Sequence, residues 1–337
     1  MNGSNASGGA GWVALRSVGL ALGLVATAAL SVAAADEAKQ TPKVRKFKFF
    51  YGATINELAP GAKARVWIPV AASNHEQKVQ LIEARTPGTK PHVGTEKTYG
   101  NKTIYFEATA DAKGEIAVDA EYVVERKELV RGQGEPTGDK IADVHLVSSK
   151  LIPVNGTLLK KLIGDKAPEG DAKAKALALY NATDDLMKYG KPDGVPWGRG
   201  DAVWACDAKI GNCTDFHSVF IGACRDLKIP AKFEMGFPIP EKKGAGDVAG
   251  YHCWAKFVNE GRWEGVDISE ADKAPAMKEY YFGNLTADRV TFTTGRDLQL
   301  DPAPATGPVN FLVYPHVEVD GKVHTKFVKR FRYEDVP

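Results

Sequence analysis

Gly211–Asn212–Cys213–Thr214–Asp215–Phe216–His217 is the stretch that decides how this chain is read, because it sets a cysteine at a helix start. Asn212 is a favourable N-cap residue, and Asp215 three positions on can bond back to the cap's own N–H in a variant of the capping box. Cys213 then falls at the first helical position. Unsatisfied N–H groups and the positive end of the helix dipole favour negative charge there, which lowers a thiol pKa and populates the thiolate. Phe216, Val219, Phe220, Ala223 and Leu227 recur at helical spacing, so the sequence predicts an amphipathic helix with Cys213 heading its apolar stripe. Pro230 disfavours helix at Ile229 and turns the chain into an extended run over 231–237.

A cysteine with neither a base nor a group to orient that base is a packing residue. About forty residues on comes Tyr251–His252–Cys253–Trp254–Ala255–Lys256–Phe257–Val258, a strand-like run, and then Trp263–Glu264–Gly265–Val266–Asp267–Ile268. Asn259–Glu260–Gly261–Arg262 between them reads as a hairpin connection, so the runs are expected to pair antiparallel and bring His252 and Asp267 together on neighbouring strands. Cys213, His252 and Asp267 are then the nucleophile, base and orienter of thiol acyl-transfer chemistry. His217 is a rival base, one helical turn beyond Cys213. It lacks a separate element to orient it, whereas His252 has Asp267.

These elements, Gly211–Asn212–Cys213, His252–Cys253–Trp254 and Val266–Asp267 in that order, resemble the transglutaminase-like superfamily. The likeness covers roughly residues 170 to 270, and the flanks resemble those of secreted bacterial members. It implies an α+β core with a papain-like arrangement, here preceded by an all-β sandwich. It also implies a cysteine protease, an amidase or an amine-transferring acyltransferase.

The backbone N–H of Cys213 is the obvious oxyanion donor. For the second donor, the indole of Trp204 ranks above Asp207, whose carboxylate would repel an oxyanion. Trp254 is expected to line the cleft on the same strand face as His252, with Trp204 and Phe237 as further walls. The cysteines at 206, 213, 224 and 253 lack the spacing of a zinc ribbon, and no Asp-rich calcium loop is present, so no metal or other cofactor is expected. Cys224 lies three turns from Cys213, too far for a disulfide. Cys206 is free to pair with Cys224 or Cys253 in an oxidising compartment.

With 44% hydrophobic and 26% charged residues and a formal charge of +2, the chain has a globular composition and no nucleic-acid signature. Residues 1–35 hold one charge, Arg16, ahead of an apolar run from Val18 to Val32 and Ala33–Ala34–Ala35, the layout of a signal peptide cleaved after Ala35. A retained N-terminal anchor is the alternative. The expected location is therefore periplasmic or secreted, with no membrane contact after cleavage and a protein or peptide as substrate. Short strands punctuated by turns predict the β-sandwich over 36–131, a linker and lead-in over 132–170, and the catalytic core with C-terminal strands over 171–337. Hydrolysis of a peptide or side-chain amide is the first expectation and amine transfer the second. A non-catalytic cell-envelope binding protein on the same fold is the third.

Overall fold

The computed structural model describes residues 40–138 and 141–336. The signal segment expected over 1–35 lies outside them, and no described helix is long and apolar enough to cross a membrane. In chain order the first strands are β1 (Val44–Ile55), β2 (Lys63–Val70), β3 (Gln77–Arg85), β4 (His92–Thr95), β5 (Lys102–Thr109) and β6 (Ile116–Lys127). A helical section follows with α1 (Thr157–Ile163), α2 (Ala172–Leu186), α3 (Ala202–Ala208) and α4 (Cys213–Asp226), and the short parallel pair β7 (Lys188–Tyr189) and β8 (Ile210–Gly211) threads between them. Then come β9 (Ala231–Pro238), β10 (Ala245–Asp247), β11 (His252–Asn259), β12 (Arg262–Val266), α5 (Ile268–Lys273), β13 (Phe282–Gly283) and β14 (Arg289–Thr294). The chain closes with β15 (His316–Val319), β16 (Lys322–His324) and β17 (Phe327–Asp335).

Period-two patterning makes the N-terminal sheets. Along β1 the residues Phe47, Phe49, Tyr51, Ala53 and Ile55 are buried, and along β6 Ile116, Val118, Ala120, Tyr122 and Val124 are buried, so each strand turns one apolar face inward. One sheet runs β10-β17-β1-β6-β3 and the other β16-β15-β2-β5-β4. Both therefore take strands from the far end of the chain: β17 pairs with β1 from Phe47↔Asp335 to Ile55↔Phe327, and β15 pairs with β2. The last strands, grouped by sequence with the core, are thus sheet partners of the first ones, and Thr41–Pro337 clusters as one unit.

The core sheet runs β13-β12-β11-β9-β14, with antiparallel neighbours. Its β11–β12 hairpin turns on Glu260 and Gly261, whose φ values of 47° and 70° suit the left-handed positions of a two-residue turn. That register pairs Asn259 with Arg262 and Ala255 with Val266. Helix α4 packs against β11 and β9 on one side and against α1, α2 and α3 on others. The amphipathic expectation for α4 is corrected accordingly: every residue from Cys213 to Arg225 is buried, polar ones included. They are tolerated because each finds a partner. Ser218 donates to the Thr214 carbonyl at 2.7 Å and accepts from Arg296, while Arg225 donates to the carbonyls of Val147 and Ala231.

Candidate active site

The helix start is built as its sequence predicts. Asn212 accepts the Thr214 N–H at 2.9 Å, and Asp215 accepts the Asn212 N–H at 3.0 Å, closing the capping box. The same Asp215 carboxylate accepts the N–H groups of Gly198 and Gly200, at 2.6 and 3.0 Å, and so ties the preceding loop to the cap. Gly211 is required here, since a Cβ would stand 2.6 Å from the Asp215 side chain. Capping and helical bonds use the N–H groups of Thr214, Asp215 and Phe216. No acceptor among the described residues takes the N–H of Cys213, which leaves it for an attacked carbonyl.

The structure brings Cys213, His252 and Asp267 together. His252, the first residue of β11, faces Asp267 Oδ2 through Nε2 at 2.8 Å and is coupled electrostatically to the Cys213 thiol. Burial disfavours the charged imidazole, but the adjacent Asp267 and the Cys213 sulfur outweigh it and push His252 up to about 10. Burial likewise opposes a Cys213 thiolate, yet hydrogen bonds from Cys253 and His252 and the charge of His252 hold the thiol well below its ordinary value. Asp267, against its burial, is kept deep in the ionised range by His252 and by Arg289. Both shifts favour the thiolate–imidazolium form of the Cys213–His252 pair.

Asp267 is not on a strand. It stands one residue past β12 and serves as the N-cap of α5, accepting the Glu270 N–H at 3.3 Å. The helix start offers its N–H groups to the carboxylate, a placement that favours its charge more than a mid-strand position would. Asp267-x-x-Glu270 carries the N-cap signature in sequence, so this turn was legible.

His217 has a structural role. Its Nδ1 lies 2.7 Å from the Cys213 carbonyl, and its Nε2 accepts the Ile268 N–H at 3.0 Å. A carbonyl partner requires the proton on Nδ1, and an N–H partner requires a lone pair on Nε2, so the ring is neutral. Burial accordingly pushes it down to about 4 despite Asp267 3.8 Å away. It stitches the start of α4 to the start of α5, the two places where Cys213 and Asp267 are mounted.

The expected cleft walls are corrected. Trp254 is fully buried, and its indole donates to Glu234 at 2.8 Å. Phe237 packs in the core against Phe49, Phe292 and Phe331. Trp204 sits half-buried in α3, whose N-cap Asp201 accepts the Trp204 backbone N–H at 3.2 Å. Among the described residues no hydrogen bond links the Trp204 indole to the triad. A cavity of about 300 Å³ does open beside His252, lined by Pro240, Glu241, Val248, Glu270, Tyr281 and Arg289 among others.

All four cysteines are free and buried, so neither pairing left open for Cys206 is formed. Cys253 instead lies 3.8 Å from Thr214 Oγ1 and 3.7 Å from His217 Nδ1, beside Cys213. Burial pushes Cys206 up to about 12 and raises Cys224 and Cys253 as well. Iodoacetamide applied to the reduced, folded protein at mildly acidic pH is therefore expected to label Cys213 first. Peptide mapping reads the result, and prior labelling of Cys206, Cys224 or Cys253 would refute it.

His252, Asp267 and Glu270 place three potential ligand atoms within 4.8 Å of one another. The cation demand of this cluster is already met: Arg289 donates to Asp267 at 3.1 Å, and Lys273 pairs with Glu270.

Residues 158–268 match the model of the transglutaminase-like superfamily. This segment is a transglutaminase-like core. The core holds α1 beyond its first residue, α2 to α4, β7 to β12 and the first residue of α5, so it contains Cys213, His252 and Asp267 and leaves out Arg289. An uncharacterized protein of Haemophilus influenzae is 27% identical over 324 residues, spanning 81% of this chain and 86% of its own. A solved structure of a candidate cysteine protease from Cytophaga hutchinsonii superposes with a TM-score of 0.53 at 17% identity, over 87% of this chain and 98% of that one. At that identity the likeness speaks for the fold alone.

Proposed function

We propose that this chain is an exported thiol hydrolase of peptide or side-chain amides, working through a thioester. The observation that carries the reading is the convergence of a helix-start cysteine, a buried imidazole and an N-capping carboxylate drawn from three elements. The Cys213 thiolate attacks the amide carbonyl, and the developing oxyanion meets the Cys213 N–H. His252 passes its proton to the departing amine, and Asp267 compensates the imidazolium until that transfer. Water then enters, His252 takes its proton, and the thioester is cleaved to a carboxylate. The apolar stretch ahead of Asp36 supports export, with cleavage after Ala35.

Hydrolysis is favoured over amine transfer because the cavity at His252 has charged groups on its lining, Glu241, Glu270 and Arg289, and two of the three apolar walls that an acceptor channel would use are buried elsewhere. A water-poor channel is what would hold a thioester for a second amine. The test is partitioning: incubate the enzyme with a glutamine-containing protein and a labelled primary amine, then compare incorporated label with ammonia and new N-termini. Ammonia or new N-termini in excess are expected. Stoichiometric label would instead make it a transferase, and neither product over a broad substrate set would favour the binding-protein reading.

A further inference from the structure

Arg289 lies outside the matched core segment, yet its guanidinium reaches into the triad. The residue opens β14 and is buried, and its Nη1 donates to Asp267 Oδ2 at 3.1 Å. This is the same oxygen that meets His252 Nε2 at 2.8 Å. The guanidinium lies 4.7 Å over the Trp254 ring, and Trp254 is anchored in turn through its indole to Glu234. Nη2 reaches Thr286 Oγ1 at 3.3 Å, and Nε has no partner. A planar cation stacked on a pinned indole has little freedom to turn, so it fixes the carboxylate it touches.

Resting on the triad reading above, we propose that Arg289 is a positioning residue: by sharing Oδ2 with His252 it sets the orientation and charge of Asp267, and so the pH range of the thiolate–imidazolium pair. Two cations on one carboxylate oxygen act in opposite senses. Arg289 keeps Asp267 ionised, and its own charge opposes the proton on His252. Without it a buried carboxylate would hold a single imidazole, which would favour a tighter and less releasable proton.

The other ionisable groups facing this cluster are few. From α4 come Cys213 and neutral His217, and from β11 comes Cys253. The residue before β11, Tyr251, adds a phenol whose pKa burial raises, and the loop after β9 sets Glu241 on the same cavity. From α5 comes Glu270, 3.7 Å from His252 and paired with Lys273. Tyr180, Tyr189, Tyr280 and Tyr281 contribute phenols whose pKa values burial raises, so they stay neutral, and Asp288 beside Arg289 is paired with Arg45. Arg126 is the further cation that senses Arg289. None of these reproduces the Arg289 contact to Asp267.

Removing a buried positive charge raises the pKa of every acid that faces it. In Arg289→Gln both limbs are therefore expected to move to higher pH, by about 1 unit or more. The limbs are read in two ways, as the rate of Cys213 alkylation by iodoacetamide against pH and as amide turnover against pH. Arg289→Lys keeps the charge and should leave the limbs at their wild-type positions while lowering turnover, because lysine cannot hold the planar stack. Unmoved limbs in Arg289→Gln, with only amplitude or melting temperature reduced, would show a merely structural residue and overturn the proposal. If Arg289→Gln does not fold, displaced limbs in Arg289→Lys overturn it and retained limbs support it. A wild-type Cys213 no more reactive than the other thiols would remove the triad reading itself and this proposal with it.

Discussion

Replacing His252 with alanine is expected to lower amide turnover about a thousandfold while leaving the melting transition near that of the wild type, since general acid–base catalysis contributes roughly 10²–10⁴. The variant loses both the proton donor for the leaving amine and the charge that holds Cys213 as thiolate, so alkylation of Cys213 at mildly acidic pH should fall in parallel. His217→Ala separates the two histidines by a different signature. It strips partners from the Cys213 carbonyl and the Ile268 N–H, each buried, at a cost of about 1–3 kcal/mol per group. Its defect should therefore appear first in stability. Kinetics and thermal melts on both variants decide the matter, and a folded His252→Ala enzyme with near-normal turnover would assign the base elsewhere.

Lys256→Met is expected to be the most damaging change away from the triad. Lys256 Nζ lies 2.9 Å from Glu76 and 3.0 Å from Glu234, and all three side chains are buried. Methionine preserves the volume and leaves two carboxylates facing each other, with Lys232 still 3.7 Å from Glu234. Removing one partner of a buried ionic group costs about 3–5 kcal/mol, on the order of 10 °C in melting temperature for a chain of this size. The deficit should depend on pH in a defined direction. Burial would raise the Glu76 pKa, but Lys256 and Arg126 overcome it and hold the carboxyl at about 2, below its unfolded value of 4.5. A carboxyl depressed in this way adds stability above pH 4.5 and loses it as pH falls towards 2. Without Lys256 that contribution falls to what Arg126 and Lys232 supply, and protonation of Glu76 relieves the variant, so the gap to wild type should narrow below about pH 4.5. A melting-temperature difference that is flat between pH 3 and 7 would contradict this account.

What could be read from the sequence was local. The capping box at Asn212 and Asp215 and the hairpin at Glu260–Gly261 each depend on residues within four positions; the first sets Cys213 at a helix start, and the second brings β11 and β12, which carry His252 and lead into Asp267, side by side. The mounting of Asp267 on a helix cap was also local, but period-two patterning of the preceding strand masked it. Long-range partners left no such trace. Arg289 reaches Asp267 from the far edge of the core sheet, and Lys256 meets Glu76 across 180 residues; neither charge is distinguishable in sequence from a solvated one. Trp254 and Phe237 misled for a related reason. An aromatic on a strand face is equally suited to a cleft wall or to a core, and packing from β14, β1 and β17 assigned both to the interior.

The pairing of β17 with β1 also bears on how the protein is made. Synthesis delivers β1 and β6 early, and they can zip together at once, but the other edge of β1 has no neighbour until about 200 further residues have been added. Throughout that interval an edge strand rich in phenylalanine is open to any stray extended segment. Lys46 and Lys48, whose side chains point away from the buried face, give that edge a charge that discourages such partners. The nascent chain thus carries its own safeguard in the strand that must wait longest.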